Sequence, residues 1–396
     1  MNSFAASQVF HPLETFRIEI PSWGFANTGT RFGKFLQPGA ATSTEEKFSD
    51  AAEVHRVTGI CPTIALHVLW DLPEGIRSTK EITALSSRYG VQPGSINPNL
   101  FQDQIYKHGS FGNPDALVRA QAIQHTKDSI EIAHQLKSRD ISMWFADGSS
   151  YPGTANIRQR KAWFEGALKE VYSHLSPEQR LLVEYKPFEP AFYHTDIADW
   201  GMALHMARCA GPQAKVLVDT GHHYHSQNIE QIVAWLLSEQ MLGGFHFNDR
   251  RYADDDLTIG SIDPYQVFRI FHEILYYEWE TGQKADIAYM IDQSHNLKGK
   301  IEETIQTIGM AQQLFAKAAL VDHAALSKAQ TNCDLICAES LLQDAFNTDV
   351  RPAIQEWRLS KGLPADPLKA FRDSGYMDRI VKERSARNMN NVSSYA

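Results

Sequence analysis

The segment KVLVDTGHHYHSQNIEQIVAWLLSEQMLGGFHFND, residues 215–249, contains one full repeat of the pattern that decides the fold. An apolar run, KVLVDTG, precedes an amphipathic stretch, NIEQIVAWLLSEQM, and a second apolar run, GGFHFND, follows. Short runs rich in Val, Leu and Phe are typical of buried strands, and apolar residues three and four apart are typical of a helix. The segment therefore predicts a strand, a helix and a second strand.

The same alternation extends along the chain in both directions. The eight candidate strands are FRIEIPSW (16–23), TIALHV (63–68), GSINPNLF (94–101), ISMWFA (141–146), LLVEYKP (181–187), KVLVDTG (215–221), GGFHFND (243–249) and IAYMIDQ (287–293). Amphipathic patterns such as DALVRAQAIQHTKDSIEIAHQLKSR, RKAWFEGALKEVYSHL and DPYQVFRIFHEILYYEW separate them. Eight strand–helix units, without a glycine-rich phosphate turn after the first strand, favour a (β/α)8 TIM barrel over a doubly wound sheet.

After residue 300 the pattern is helical only. KIEETIQTIGMAQQLFAKAALVDHAAL predicts a last barrel helix that runs into an extension. We expect an α/β protein with a catalytic (β/α)8 barrel over 1–300. Residues 301–396 would hold the last barrel helix and a C-terminal helical extension that makes oligomer contacts. The final ERSARNMNNVSSYA is polar, and we expect it to be frayed.

Composition excludes several classes of protein. The chain has 396 residues, 43% of them hydrophobic, which is enough for a large core. Its net charge of −9 leaves no electrostatic footprint for nucleic acid, and no apolar run approaches the roughly 18 residues that cross a membrane. The four cysteines, Cys61, Cys209, Cys333 and Cys337, are too few for a disulfide framework, and we expect Cys333 and Cys337 to pack rather than bind zinc. With no signal-peptide pattern at the N-terminus, a cytoplasmic enzyme is expected.

Potential metal ligands stand at the ends of four consecutive candidate strands. Strand five ends with Glu184 and Lys186, strand six with Asp219, His222 and His223, strand seven with His246 and Asp249 before Asp254 and Asp256, and strand eight with Asp292. A lone Asp at a strand end is usually a helix cap or a turn residue, but four successive units argue against that explanation. Because barrel chemistry collects at the carboxyl ends of the strands, these side chains are expected to converge.

The spacing of the first pair and of the acidic loop adds detail. Glu184 and Lys186 are two apart on a strand, so both would point into the barrel mouth, although an ordinary salt bridge would use the same pattern. In an extended loop Asp254 and Asp256 would face one side and Asp255 the other, which suits a divalent ion. A solvated acidic loop is the alternative.

The stretch after strand six brings a carboxylate and an imidazole close together. Gly221 would permit a sharp turn, so that Asp219 and His222 approach one cation or two neighbouring ones. His223 is expected to pack or to support the ligands from outside.

The full set of candidate ligands is large and mostly oxygen. It comprises Glu184, Asp219, His222, His246, Asp254, Asp256 and Asp292. Oxygen ligands with two imidazoles indicate Mn²⁺, Mg²⁺ or Co²⁺ rather than a structural zinc. Seven ligands are too many for one ion that must leave room for substrate, so we infer two divalent metal ions per subunit, preferably Mn²⁺, with Co²⁺ or Mg²⁺ as alternatives.

These motifs resemble a known family. E-x-K-P on strand five, D-x-x-H on strand six, D-x-D after strand seven and the Asp of strand eight are similar to the two-metal site of xylose-isomerase-type barrels. The run VDTGHHYHSQNIEQIV…LGGFHFNDRRYADDDLTIGSIDPYQVF, together with PSWGFANTGTRF, resembles the bacterial L-rhamnose isomerases of broad aldose specificity, over about residues 16–300. Compared with xylose isomerases proper, His246 stands where a carboxylate is usual and Asp219 replaces a Glu, which argues against xylose as the natural substrate.

The resemblance implies a metal-dependent aldose–ketose isomerase that converts L-rhamnose to L-rhamnulose, with side activity on aldoses such as D-allose. A hydride shift is the mechanism implied, and the sequence does not separate it from an enediol route. By this resemblance Glu184, Asp219, His246 and Asp292 would hold a structural metal that also binds the sugar, and His222, Asp254 and Asp256 would hold the catalytic one, with Asp219 bridging.

Further residues are candidates for catalysis and sugar binding. The candidate catalytic residues are Lys186, Asp292 and His67, and the candidate sugar-binding residues are Trp23, Phe32, His67, Trp144 and Lys186. Lys186 can donate to the developing alkoxide. His67 would assist ring opening or bind a distal hydroxyl, and Trp23 and Trp144 would offer apolar faces to the sugar, but core packing explains these three residues equally well. In the family the loop that holds Phe32 reaches a neighbouring subunit's pocket, which implies a homotetramer.

Three other functions compete with this hypothesis. A ketose 3-epimerase shares the barrel and one metal but works with paired carboxylates, so Lys186 and the D-x-D motif argue against it. A metal-dependent DNA-repair nuclease on the same barrel needs a basic groove, which the charge of −9 opposes. A non-catalytic sugar-binding protein has no reason to place seven metal ligands at one barrel mouth.

Overall fold

The computed structural model describes residues 6–27, 35–189, 191–294 and 297–389. Eight of its strands form one parallel sheet: β1 (Ile20–Pro21), β2 (Thr63–His67), β3 (Gln92–Asn97), β4 (Asp140–Met143), β5 (Arg180–Glu184), β6 (Ala214–Asp219), β7 (Leu242–Phe247) and β8 (Ala288–Ile291). Each strand pairs with the next one in this order. The sheet closes because Glu19 donates its N–H to the Tyr289 carbonyl at 2.8 Å and accepts from the Ile291 N–H at 3.0 Å. The predicted (β/α)8 barrel is confirmed.

Helices follow the strands and form the outer layer. They are α1 (Ala6–Thr15) before the first strand, and then α2 (Thr44–Thr58), α3 (Thr79–Tyr89), α4 (Ala116–Leu136), α5 (Ile157–Tyr172), α6 (Trp200–Ala210), α7 (Ile229–Ser238), α8 (Pro264–Thr281) and α9 (Lys300–Ala318), one after each strand. Polar side chains begin several of them: Asn228 accepts from the Gln231 N–H at the start of α7, and Asp263 accepts from the Gln266 N–H at the start of α8. These caps satisfy backbone donors that the first turn of a helix leaves unpaired.

Alternation along the strands sorts their side chains between two cores. Leu182, Leu217 and Met290 form a small buried cluster of their own, separate from the large core between sheet and helices. Val216 and Val218, next to Leu217 on the same strand, belong to that large core. Because side chains alternate with period two, the residues two positions after the interior leucines and methionine also point inward. This alternation places the polar residues Glu184, Asp219 and Asp292 at the mouth of the barrel.

The predicted strands extend too far at their carboxyl ends. Trp144 lies just after β4, Lys186 just after β5 and Asp292 just after β8. The first strand is reduced to Ile20–Pro21, and the third begins at Gln92 and ends at Asn97, before Pro98. Polar residues at the mouth leave the hydrogen-bonded ladder and turn into the loops, and a pattern of apolar alternation does not mark that point.

The helices after the barrel pack back onto it. They are α10 (His323–Thr331), α11 (Leu335–Asn347), α12 (Arg351–Ser360), α13 (Pro367–Asp373) and α14 (Tyr376–Met389). Arg384 of α14 binds Asp50 of α2 at 2.8 Å, and Asn388 donates to the Ala40 carbonyl at 2.8 Å. The prediction that the segment from 383 is frayed is therefore wrong as far as residue 389, because a buried ion pair and an amide hold it.

Through the described part of the chain, no helix has both the length and the apolar character that a membrane crossing needs.

Candidate functional site

A cavity of about 190 Å³ opens at the carboxyl ends of the strands. Its walls are Trp23, His67, Trp70, Asn97, Pro98, Phe101, Ser142, Trp144, Glu184, Lys186, His222, His246, Asp254, Asp256 and Asp292. All of the predicted site residues except Asp219 and Phe32 are in this wall. Asp219 is 0% exposed and lies beneath it, and Phe32 lies outside the described residues.

Strand register explains why these side chains meet. Leu182 points into the barrel, so Glu184 and Lys186, two and four residues later, also face the mouth. The same alternation places Asp219 two residues after Leu217. Parallel strands end at the same edge, so residues far apart in sequence converge.

Asp219 occupies the centre of the cluster. Its Oδ1 accepts hydrogen bonds from the Gly221 N–H at 2.7 Å and from Asn248 Nδ2 at 3.0 Å. Its Oδ2 has no hydrogen-bond partner among the described residues, and it lies 3.9 Å from His222 Nε2 and 4.0 Å from His246 Nδ1. One carboxylate oxygen is thus held in place and the other faces both imidazoles.

Glu184 also lies between the two histidines. Its Oε1 is 3.2 Å from His222 Nδ1, and its Oε2 is 3.2 Å from His246 Nδ1. The Tyr185 carbonyl lies 2.9 Å from His222 Nδ1, which can donate to it, so that Nε2 faces Asp219 and Asp254. The glutamate therefore contacts both halves of the cluster.

The acidic run after β7 separates into two groups. Asp254 lies 3.4 Å from His222 Nε2 and accepts from Lys186 Nζ at 2.6 Å. Asp256 lines the cavity with it. By contrast, Asp255 Oδ2 accepts from the backbone N–H groups of residues 251 and 252, at 2.6 and 2.7 Å.

Asp249 does not belong to the cluster. Its Oδ2 accepts from the Ile262 and Asp263 N–H groups at 2.7 and 3.0 Å, and thereby secures the loop that leads into α8. Asp249 therefore stabilises a loop through backbone hydrogen bonds and does not line the cavity.

The cluster contains more carboxyl groups than cationic side chains. Burial opposes a charged His222, but Asp219 and Asp254 overcome it and raise the pKa of His222 to about 9. Burial likewise opposes a charged His246, but Glu184 overcomes it and raises the pKa of His246 to about 10. Burial, aided by neighbouring carboxylates, raises the pKa of Asp256 well above its usual value. The carboxylates therefore favour a positive charge on the groups beside them.

The donor set fits divalent cations. Two overlapping groups, Glu184–Asp219–His222 and Asp219–His246–Asp292, each place three ligand atoms within 4.8 Å of one another. Among the described residues the buried Asp219 Oδ2 and Asp254 Oδ1 have no hydrogen-bond partner, and such atoms are costly unless something binds them. Asp219 belongs to both groups, so the residues are compatible with two neighbouring ions.

An aromatic wall faces the carboxylates. His67 stacks on Trp70 at 3.9 Å, and Phe101 packs edge-on against Trp144 at 4.9 Å. Burial lowers the pKa of His67 to about 4, so its imidazole is neutral at pH 7. Trp23 donates its indole N–H to Asp292 at 2.9 Å. The sequence interpretation missed Trp70 and Phe101, although Trp70 stands in the strand-end motif HVLWD.

The loop that carries His222 is held from behind. Arg250, which the sequence interpretation passed over, donates to the carbonyls of Thr220, His223 and Tyr224 at 3.0, 2.7 and 3.1 Å. His223 points away from the cavity, with Nε2 2.6 Å from the Tyr185 hydroxyl oxygen. The buried guanidinium organises this turn.

Gly221 is needed for a reason that differs from the predicted one. It does not adopt a positive φ. A Cβ at this position would lie 2.6 Å from Asn248 Oδ1 and 2.9 Å from Asp254 Oδ1. Close approach of these side chains, rather than a left-handed turn, requires glycine.

Asp71 connects two walls of the cavity. It forms a buried ion pair with Lys47 at 2.6 Å, and the side chains of Asp71 and Lys47 are 0% and 8% exposed. Its other oxygen accepts from Ser22 Oγ at 2.5 Å and from the His67 N–H at 2.8 Å. Ser22 precedes Trp23, so Asp71 holds two residues of the cavity wall in place, Trp23 through Ser22 and His67 through its backbone N–H.

We expect Asp71→Ala to lower the free energy of unfolding by about 3–5 kcal/mol, because it leaves the Lys47 ammonium buried without its partner. Urea unfolding followed by circular dichroism measures the loss. The double variant Lys47→Met/Asp71→Leu removes both charges and should lose less. An equal or larger loss in the double variant would show that the unpaired charge is not the cause.

The fold and site together define a (β/α)8 barrel with a buried carboxylate and histidine cluster at its mouth. Residues 62–292 match the family described as xylose isomerase-like TIM barrel. A probable sugar isomerase of Mesorhizobium japonicum is 38% identical over 94% of this chain and 87% of its own length, and one of Rhizobium meliloti is 38% identical over 93% and 86%. The chain belongs to the xylose isomerase-like TIM barrel family.

More distant proteins are similar over part of the sequence or in fold. The Thermus thermophilus xylose isomerase is 27% identical over 43% of this chain and 46% of its own length. The structure of an Escherichia coli 3-keto-D-glucoside 4-epimerase superposes with a TM-score of 0.53 at 10% identity, over 75% of this chain and 99% of that one. A Methylomonas D-allulose 3-epimerase has a TM-score of 0.51 at 14% identity, over 80% and 97%. At such low identity these two structures show only that the fold is similar.

Proposed function

We propose that the protein is an aldose–ketose isomerase that converts L-rhamnose to L-rhamnulose, with side activity on other aldoses such as D-allose. The observation that carries the proposal is the position of Asp219, whose Oδ2 has no hydrogen-bond partner among the described residues and faces His222 and His246, while Glu184 contacts both. The relatives named as probable sugar isomerases support the same class of reaction.

The proposal includes two divalent ions, Mn²⁺ preferred over Co²⁺ or Mg²⁺. Glu184, Asp219, His246 and Asp292 would hold one, and His222, Asp254 and Asp256 the other, with Asp219 shared. When bound, such ions polarise a carbonyl and lower the pKa of an adjacent hydroxyl.

Lys186 would stabilise charge on the substrate oxygen. Its Nζ lines the cavity, lies 2.6 Å from Asp254 and is 5.6 Å from the centre of the Trp144 ring. Burial opposes its charge, but Asp254 overcomes this and raises the pKa of Lys186, so it remains an ammonium. A fixed donor in a buried site stabilises a developing alkoxide without reorganising solvent.

The aromatic wall would bind the rest of the sugar. Trp70 and Phe101 present apolar surface opposite the carboxylates, which suits the C–H faces of a sugar and the C6 methyl of a 6-deoxyhexose. The Trp144 indole N–H is buried and has no partner within the described residues, so it can donate to a hydroxyl. Neutral His67 can exchange a hydrogen bond with a distal hydroxyl or with the ring oxygen during opening.

The reaction moves one hydrogen from C2 to C1 and one proton from O2 to O1. A hydride shift needs the substrate held away from water, which the four indole and phenyl rings of the wall favour.

We propose a homotetramer in which Phe32 completes a neighbouring pocket, and a cytoplasmic location, as further parts of this hypothesis. A ketose 3-epimerase is the alternative, and Lys186 beside the acidic loop argues against it.

A sugar panel tests the proposal. With added Mn²⁺, kcat/KM for L-rhamnose should exceed that for D-xylose, since a methyl entering an apolar pocket contributes only about 1–3 kcal/mol and thus roughly 10- to 200-fold discrimination. L-Mannose and D-allose should be turned over more slowly than L-rhamnose. Ketose formation is followed on one preparation, with enzyme treated with EDTA as the blank.

Two outcomes would contradict parts of the proposal. If D-xylose gave the highest kcat/KM, the rhamnose assignment would fail and the isomerase would stand. If ketoses were epimerised at C3 and no aldose were converted, the epimerase alternative would replace it.

A further inference from the structure

A second group of metal-ligating side chains lies on the outer helical layer, away from the barrel mouth. His205 and Cys209 are four residues apart on α6, and therefore share one face of that helix. Glu165 of the neighbouring helix α5 completes the group. The ligand atoms of the three residues lie within 4.8 Å of one another.

Two of the three distances within this group match a tetrahedral site. Cys209 Sγ is 3.6 Å from His205 Nε2 and 3.7 Å from Glu165 Oε1. Zinc bonds of about 2.3 Å to sulfur and about 2.0–2.1 Å to nitrogen or oxygen, at a tetrahedral angle, give edges of about 3.5–3.6 Å between sulfur and the other two atoms. Two of three edges thus already have the required length.

The third edge is shorter for a clear reason. His205 Nε2 and Glu165 Oε1 are 2.7 Å apart, as in a hydrogen bond, whereas a bound zinc would hold them about 3.3 Å apart. The His205 side chain is 46% exposed and that of Glu165 23% exposed, so both can make this small adjustment and a cation can reach them. Lys161, half-exposed on the same helix as Glu165, is an ion-pair partner of that carboxylate and would have to move aside.

We propose that Glu165, His205 and Cys209 form a peripheral site for a borderline-soft divalent cation, Zn²⁺ above all, that links α5 to α6. Thiolate with imidazole and carboxylate selects zinc over manganese, whereas the cluster at the mouth has oxygen and nitrogen ligands only. On binding, the Cys209 thiol loses its proton to solvent as the zinc–sulfur bond forms, and no redox change occurs. Three protein ligands leave one position of the tetrahedron for water.

Cobalt substitution tests this site separately from the mouth. A thiolate bound to Co²⁺ gives a near-ultraviolet charge-transfer band, and the described wall of the mouth contains no cysteine. Cys333 and Cys337 are exposed, rather than packed as predicted, so the background is the full chain with Cys333→Ser/Cys337→Ser. Titrating this protein, freed of metal by EDTA, with Co²⁺ should produce a band whose amplitude corresponds to one thiolate-bound ion per chain, because the two ions proposed for the mouth give no such band, and excess Zn²⁺ should remove it.

Three variants in the same background decide the assignment. Cys209→Ser should abolish the band, and His205→Ala should weaken Co²⁺ binding by at least about 10-fold, the loss that even an outer partner of a metal ligand causes. Lys161→Met should strengthen binding, because the competing ammonium is gone. Far-ultraviolet circular dichroism checks that each variant folds. A band that persists in Cys209→Ser, or its absence from the folded background protein, would overturn the proposal, whatever the sugar panel shows.

Discussion

Removal of divalent cations with EDTA is expected to lower sugar isomerisation by about 10³-fold or more, and added Mn²⁺ or Co²⁺ is expected to restore it. The carboxylates of Glu184, Asp219, Asp254, Asp256 and Asp292 lie together with the imidazoles of His222 and His246 and the ammonium of Lys186, and Glu184 and Asp219 are buried. Without a cation the raised pKa values of about 9 and 10 leave His222 and His246 protonated at pH 7, so their nitrogens are not available as ligands. Loss of several kcal/mol of stabilisation of developing charge corresponds to this change in rate.

Initial rates with L-rhamnose, before and after reconstitution, measure the effect. Because cations must displace the protons of His222 and His246, reconstitution should need less Mn²⁺ at pH 8 than at pH 6. Full turnover by a sample shown by elemental analysis to be free of metal would refute the metal requirement.

Variants of the ligands should separate turnover from sugar binding. His222→Ala or Asp254→Ala is expected to lower kcat by about 10²–10³-fold or more and to leave substantial sugar binding, because these residues would serve the catalytic ion. Glu184→Ala should impair both, since Glu184 contacts both histidines at 3.2 Å and would hold the ion that anchors the sugar. Calorimetric titration with L-rhamnose and steady-state rates supply the two readouts.

Asp255→Asn is the matched control for these variants. It lies next to Asp254 and Asp256, but its Oδ2 accepts from backbone N–H groups, and an asparagine oxygen can accept the same bonds. Its activity should stay within a few-fold of the wild type. Intact catalysis in His222→Ala, with both ions still bound, would contradict the assignment of His222.

Local pattern was sufficient to predict the elements but not where they end. Apolar runs identified the eight strands, and the extension after residue 300 is helical, as expected. The predicted strands include polar residues such as Lys186 and Asp292, which lie just after the last paired residues, because apolar alternation does not mark where the hydrogen-bonded ladder ends. The docking of α14 through Arg384 and Asp50 joins residues 334 positions apart, and no local pattern reports such a contact.

The sequence by itself determined the barrel and which side chains gather at its mouth. Parallel strands in chain order end at one edge, and period two selects the inward face, so the sequence alone places Glu184, Lys186 and Asp219 together. Tertiary structure decided the rest: Glu184 contacts both histidines, and Asp255 supports a turn while its neighbours line the cavity. Asp219 has one oxygen held by hydrogen bonds and one without a partner among the described residues. These outcomes depend on contacts of 3.2–4.0 Å between side chains on different strands and loops, and the spacing of residues along the chain does not encode such contacts.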